Sequence, residues 1–287
     1  MKVRKAVIPA AGFGTRFLPI TKAVPKELLP IIDRPAIAYI VDEAIEAGIK
    51  EILIIISPHK EQIKDYFVQN QQLEQFLIEK NNHEALKLIA PITGVSITFV
   101  IQHEQLGFGH AVLQAKEFVD NEPFAVLTGD DLFYSADKPV IAQLIDVYNQ
   151  NNGHILGTMK VPKDQVNKYG ICAPKPNQTG PVFELVDIVE KPEIENAPSQ
   201  SASSGRYILR PEIFKYLESQ QRGFGNEIQL TDAIKRSMQE VKLFSYDFTG
   251  IRYDVGSKEG YLKAIVEYAL RRDDLKVSMQ KIINDNM

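Results

Sequence analysis

The chain has 287 residues, enough for one or two domains, and its 44% hydrophobic and 24% charged residues are ordinary for a soluble globular protein. A net charge of −4 excludes a surface that attracts nucleic acid as a whole, and the single cysteine, Cys172, excludes a disulfide framework or a cysteine-rich zinc site. No apolar run approaches the ~20 residues of a membrane span, and the first apolar run is broken by Pro9 too early for a signal peptide. The expected class is a cytoplasmic enzyme or binding protein with no membrane or nucleic-acid partner.

Short apolar runs alternate with amphipathic segments, which predicts an α/β fold with parallel pairing. Residues 5–9 predict the first strand. A helix is expected over 35–47, with Pro35 at its start and Gly48 past its end. The run EILIII at 51–56 suits a strand buried on both faces. Residues 61–67 predict a helix, and 69–90, rich in Gln, Asn, Glu and Lys, a helical excursion from the sheet. Buried strands are expected at 95–101 and 124–127, with a helix over 109–119 between them and another over 140–150. In the second half, 154–161, 171–173, 182–189 and 206–209 predict strands. Residues 195–204 are small and polar and predict a mobile loop. Helices are expected over 211–219 and 258–272, with a weaker one running to 283. No repeat and no composition shift divides the chain. One domain over 1–287 is expected, with a nucleotide-binding part to about residue 135 and a sugar-binding part with C-terminal helices beyond it.

The segment from Pro9 to Pro30, PAAGFGTRFLPITKAVPKELLP, follows the first strand. Gly12 and Gly14 let a ligand approach their amides, and Arg16, Lys22 and Lys26 add positive charge to a loop too proline-rich for a helix. Amides and cations after a strand suit phosphates. The loop is neither a Walker A sequence nor a GxGxxG fingerprint, because Phe17 stands at the third glycine position. A buried strand ends in Leu127-Thr128-Gly129-Asp130-Asp131, where carboxylates can hold Mg²⁺ or merely turn the chain. Glu190-Lys191-Pro192 ends another strand with a phosphate-pairing cation and a hydroxyl-binding carboxylate. Asp254 is either a second carboxylate for a metal or a cap or turn residue before the helix that Ser257 starts. Gln102 offers a donor and an acceptor to a pyrimidine edge, near the permissive Gly107 and Gly109. The five histidines are dispersed without zinc spacing, and no GxSxG elbow occurs.

The string GFGTRFLP…TK…PKELLP resembles the signature of the sugar-nucleotidyltransferases, and within them the bacterial UTP–glucose-1-phosphate uridylyltransferases. GFGHAV, VPKDQVNKYGI, VEKP, GRYIL, NEIQLTDAI and RYDVGSKEGYLKA extend the likeness over most of the chain in order. The departures are modest. Phe13 and Phe108 stand where the family often has Leu, and Leu127-Thr128-Gly129-Asp130-Asp131 where it often reads LPDD. The glycine version also occurs in the thymidylyl branch.

The resemblance implies a Rossmann-like nucleotidyltransferase fold with a central mixed, mostly parallel sheet flanked by helices. It implies that Mg²⁺-dependent transfer from UTP to glucose 1-phosphate gives UDP-glucose and pyrophosphate. By resemblance, the backbone at Ala10, Ala11 and Gly12, with Gln102 and Gly107, holds the uracil. Gly14 and Thr15 join them around the nucleotide, and Arg16 and Lys26 hold the triphosphate. Asp130 and Asp254 bind Mg²⁺. Lys191 contacts the sugar phosphate, Glu190, Gly170 and Gly205 the sugar ring, and Asp131 a sugar hydroxyl. Arg16, Lys26, Asp130 and Lys191 are the expected catalytic set. The resemblance implies a homo-oligomer, a dimer or tetramer, as is usual among relatives. A thymidylyltransferase using dTTP and a non-catalytic nucleotide-sugar sensor are the alternative readings.

Overall fold

The computed structural model describes residues 2–286. In chain order its strands are Lys5–Pro9 (β1), Pro30–Ile31 (β2), Arg34–Pro35 (β3), Glu51–Ile56 (β4), Ser96–Ile101 (β5), Phe124–Leu127 (β6) and Asp131–Tyr134 (β7). The second half adds His154–Lys160 (β8), Gly170–Pro174 (β9), Val182–Glu190 (β10), Ser201–Leu209 (β11), Leu243–Asp247 (β12) and Ile251–Asp254 (β13). One nine-stranded sheet runs β5-β4-β1-β6-β11-β8-β12-β10-β9. From β5 to β6 all pairings are parallel, and β12 is parallel to β8. β11 runs against β6 and β8, and β10 against β12 and β9. The result is a mixed, mostly parallel sheet continuous through both halves of the chain. Two short antiparallel ribbons, β7 with β13 and β2 with β3, stand outside it.

Alternation along the central strands feeds two apolar layers. Ile8, Ile52 and Ile54 pack with Ile37, Ile40 and Leu144 on one face. Val7, Leu53 and Ile55 pack with Val112, Phe124 and Leu209 on the other. Both layers need a helix on each face, which the amphipathic segments supply. The helix Ala36–Glu46 starts after Pro35, whose extended backbone and missing N–H suit a helix entry, and Gly48 turns the chain past its end at φ +88°. Ser257 caps the helix Lys258–Arg271, its side chain accepting from Gly260 N at 3.1 Å. The excursion at 69–90 folds as two helices, Gln71–Glu79 and His83–Leu88, each capped by an asparagine side chain.

Several expectations give way. The strand expected to be buried at 95–101 is β5, an edge strand with β4 as its only neighbour, and Ser96 and Thr98 are exposed. The loop expected at 195–204 is half strand, because Ser201–Ser204 are buried in β11. Their small side chains fit where β11 meets β8 and β9 together, and low hydrophobicity here reflects crowding, not exposure. The helix expected over 109–119 breaks into Phe108–Leu113 and Lys116–Val119. The strands β7, β12 and β13 carried no sequence expectation.

Candidate active site

Strands β1, β4, β5 and β6 end at one edge of the sheet, where open α/β sheets bind ligands. Beyond β1 the proline-rich loop folds into three single 3₁₀ turns, Thr15–Phe17, Ile20–Lys22 and Lys26–Leu28. Phe17 is buried and meets Tyr261 edge-on, with ring centroids 5.5 Å apart, which fixes the loop to the C-terminal helix. A cavity of about 380 Å³ opens between this loop, the segment 102–111 and the end of β6. Ala11, Gly12, Gly14, Thr15 and Lys26 line it from the loop, and Gln102 and Gly107 from the far side. Gly107 must be glycine: its φ is +106°, and a Cβ would fall 2.6 Å from that of Glu227. Ala10 lies behind the wall. Its N–H donates to Ile55 O at 2.7 Å and its oxygen accepts from Lys60 Nζ at 2.8 Å, so both its main-chain groups are engaged within the protein. Lys22 is exposed and lines nothing.

The charges at the mouth are ordered. Lys26 Nζ lies 2.5 Å from Asp130 Oδ2. Arg16, largely exposed, lies 3.8 Å from Asp130 and 3.6 Å from Asp254. Burial pushes the Asp130 carboxyl up, but Lys26 and Arg16 outweigh it and hold it below the usual carboxylate range. Burial likewise works against the Lys26 ammonium, and Asp130 more than restores it. Gly256 leaves the space between these groups open. A Cβ there would stand 2.7 Å from both Arg16 Nη2 and Asp130 Oδ2, and 3.1 Å from Asp254 Oδ1. Two carboxylates facing one gap are hard oxygen donors of the kind Mg²⁺ takes together with substrate phosphates. No larger cluster of His, Cys, Asp or Glu suited to an ion occurs among the described residues. Asp254 is not the cap: Ser257 is, and it donates to the main-chain oxygen of Asp254, whose Oδ1 accepts from Gly256 N at 3.1 Å in a turn while Oδ2 faces Arg16.

Beneath the loop lies a buried ion pair. Lys60 Nζ donates to both oxygens of Glu27, at 2.9 and 2.7 Å, as well as to Ala10. Burial pushes the Glu27 carboxyl up and the Lys60 ammonium down. The pair ties the residue after Lys26 to the start of the glycine segment, so it sets the loop's shape.

The second group of expected residues lies along β9, β10 and β11. Gly170 pairs with Glu190, and a Cβ on Gly170 would come 3.3 Å from Glu190 Oε2. Glu190 accepts from Thr231 Oγ1 at 2.7 Å. Lys191 holds a left-handed φ of +43°, a conformation non-glycine residues adopt at a cost, which turns its side chain beside Phe224. Gly205 is forced by Thr128 Oγ1 and Asp131 Oδ2, which would lie 2.3 and 2.7 Å from a Cβ. Asp131 is buried, accepts from Thr128 at 2.6 Å and meets Arg252 at 2.6 Å. Burial raises its carboxyl despite Arg252. Arg252 also stacks over Tyr169, whose main-chain oxygen accepts from Lys191 N at 2.9 Å. Asp131, Arg252, Tyr169 and Lys191 therefore form one chain of contacts joining the two groups.

Sequence reasoning missed Gly256, Glu227, Thr231, Arg252 and Tyr169 as site residues, although each falls within a segment it singled out. Lys60 carried no signal. Cys172 is buried and its thiol is pushed up to about 12, which suits packing. A larger depression of about 1070 Å³ lies at the other end of the strands, beside Pro123 and Arg210. Its cations Lys116, Arg210 and Lys215 are matched by Glu218, Glu212 and Glu240. No helix among the described residues is long and apolar enough to cross a membrane.

Comparison with known proteins agrees with this fold. The UTP–glucose-1-phosphate uridylyltransferase of Staphylococcus epidermidis is 48% identical over 283 residues, 98% of each chain. A UTP-bound UGPase from Acinetobacter baumannii superposes with a TM-score of 0.90 at 38% identity, covering 98% of both chains. A UDP-glucose pyrophosphorylase complexed with UDP-glucose superposes with a TM-score of 0.85 at 42% identity, over 94% of this chain and 100% of that one. The nucleotidyl transferase family model matches residues 5–270, and the chain belongs to that family.

Proposed function

We propose that the protein transfers the uridylyl group of UTP to glucose 1-phosphate, releasing UDP-glucose and pyrophosphate. The observation that carries this reading is the chain of contacts from Asp131 through Arg252 and Tyr169 to Lys191, which joins the cations Arg16 and Lys26 around Asp130 to a third cation just past β10. The uridylyltransferase activity of the similar proteins and the UTP and UDP-glucose complexes of the similar structures support it. The amides of Ala11 and Gly12, with Gln102 and Gly107, take the base. Gly14 and Thr15 border the phosphates. Glu190, Gly170 and Gly205 border the sugar, and Asp131 orients Arg252 between the halves. The nucleotide part runs to about residue 135 and the sugar part beyond it, within one domain.

A phosphate oxygen of glucose 1-phosphate attacks the α-phosphorus of UTP. The new P–O bond forms as the bond to the β-phosphate oxygen breaks, and pyrophosphate carries away the electron pair. The second ionisation of a sugar phosphate lies near pH ~6, so the nucleophile needs no general base. The obstacle is charge: two like unit charges 4 Å apart repel by about 4 kcal/mol at an effective dielectric of ~20. Lys191 offsets it on the acceptor side, and Arg16 and Lys26 on the nucleotide side. Asp130 and Asp254 would hold Mg²⁺, which supplies further counter-charge to the phosphates. Positioning and electrostatics then account for most of the rate, as in other phosphoryl-group chemistry. The protein acts in the cytoplasm as a homo-oligomer; exposed Leu262, Val277 and Ile282 on its last two helices support assembly. Product analysis with UTP, dTTP, CTP and ATP against hexose 1-phosphates tests the reading. UDP-glucose with equimolar pyrophosphate supports it. A preference for dTTP, or no pyrophosphate, rejects it for a thymidylyltransferase or a sensor.

A further inference from the structure

Gln102 is 2% exposed and directly follows β5, where its main-chain N–H donates to Ile56 O at 2.8 Å. Its side chain lines the cavity. The amide Nε2 lies 2.8 Å from Nδ1 of His110, on the helix Phe108–Leu113. An amide nitrogen only donates, so Nδ1 accepts and the ring proton sits on Nε2. The other approach to this ring is longer: Gln114 Nε2 stands 3.3 Å from His110 Nε2 and donates to the main-chain oxygen of His110 at 3.2 Å. A neutral imidazole accepts at one nitrogen, and the shorter contact, to the more buried amide, takes it. The side-chain oxygen Oε1 of Gln102 then receives no donor from the described residues, and it is not sealed away from the cavity either.

From this geometry we infer that His110 is a positioning residue for base selection. It holds the Gln102 amide with its oxygen toward the cavity. That oxygen accepts from a pyrimidine bearing N–H at ring position 3, as uracil does, and repels cytosine, whose N3 is itself an acceptor. Without His110 the amide turns freely and its NH₂ meets the cavity as readily as its oxygen, so cytosine is no longer refused. The inference rests on the uridylyl reading of the cavity and adds to it the group that orients the base-reading side chain.

The test compares kcat/KM for UTP and CTP, with glucose 1-phosphate, in wild type, His110→Leu and His110→Asn. The preference for UTP falls in His110→Leu by on the order of tenfold to a hundredfold, the cost of a mismatched buried polar group. It returns in His110→Asn, whose Oδ1 stands where Nδ1 stood. A merely structural histidine would lower both substrates together and leave the ratio fixed. Nitrogen NMR of the nucleotide-free protein gives a second readout, with the His110 proton on Nε2. An unchanged ratio in folded His110→Leu, a proton on Nδ1, or a wild type that makes UDP-glucose without preferring UTP to CTP overturns the inference. A wild type that makes no UDP-glucose overturns the uridylyl reading instead, and the nitrogen spectrum still decides the tautomer.

Discussion

Lys26 Nζ lies 2.5 Å from Asp130 Oδ2, so in the free protein one of its own cations occupies the carboxylate that would hold a divalent ion. Arg16 reaches across both Asp130 and Asp254 in the same way. On the proposed reading, triphosphate binding would give these cations a new partner and free the carboxylates. Lys26→Ala should therefore tighten Mn²⁺ binding to nucleotide-free protein roughly tenfold, since a charge in contact is worth a few kcal/mol at most. The same variant should lose turnover with UTP. Paramagnetic resonance of free Mn²⁺ measures the first effect, and unchanged affinity would reject the exchange of partners.

Asp130→Asn removes one of the two carboxylates proposed to hold Mg²⁺ while keeping the side chain's shape. Turnover should fall by about 10²–10³-fold, the scale for losing one fixed electrostatic group, while the protein stays folded by circular dichroism. Near-normal turnover would remove Asp130 from the metal site.

Lys191→Ala should raise KM for glucose 1-phosphate by tenfold or more, with KM for UTP little changed. A charge-assisted hydrogen bond contributes about 1.5–3 kcal/mol, which sets this scale. Steady-state kinetics at saturating UTP reads the effect directly. An unaltered glucose 1-phosphate dependence rejects the assignment.

Arg206 is fully buried between β6 and β8 and pairs with Glu43 at 2.7 Å. It also donates to the main-chain oxygens of Asp131 and Gly205, at 2.9 and 3.1 Å. Arg206→Met should cost about 3–5 kcal/mol, because Glu43 is left buried and unpaired. Adding Glu43→Leu should recover part of that loss in urea unfolding. No recovery would mean that the contacts to Asp131 and Gly205, not the charge pair, carry the stability.

His154 is buried, its Nδ1 accepts from Arg210 N at 3.1 Å, and its Nε2 has no partner. Burial, with Arg210 nearby, pushes its ring down to about 3 from the ordinary 6.5. The unfolded chain therefore takes up a proton below about pH 6.5 that the folded protein refuses until about pH 3. Stability is whole above pH ~6.5 and falls by up to ~1.4 kcal/mol per pH unit below it. His154→Asn, which keeps the acceptor for Arg210, should flatten the decline in urea midpoint between pH 6.5 and 5. An equal decline in both proteins would place the acid sensitivity elsewhere.

The elements legible in the sequence are those whose signal is local. EILIII gives β4 by its apolar run, Pro35 and Gly48 bracket the helix Ala36–Glu46, and Ser257 marks the start of Lys258–Arg271. Those that were not legible depend on distant partners. β7 and β13 are four residues each and pair across the whole second half of the chain. Ser201–Ser204 look like a loop because a crowded central strand can be built from small polar residues. The site divides in the same way. Arg16, Lys26, Asp130 and Lys191 stand out beside glycines and strand ends. Which cation faces which carboxylate, Lys60 with Glu27 and Arg252 with Asp131, is decided only when the sheet closes.

The most direct test is a crystal structure with UDP-glucose and Mg²⁺. The account predicts the diphosphate within hydrogen-bonding reach of Lys191 on the sugar side, with the ion on Asp130 and Asp254 and the uracil against Gln102. A diphosphate lying away from Lys191 and both carboxylates would contradict it.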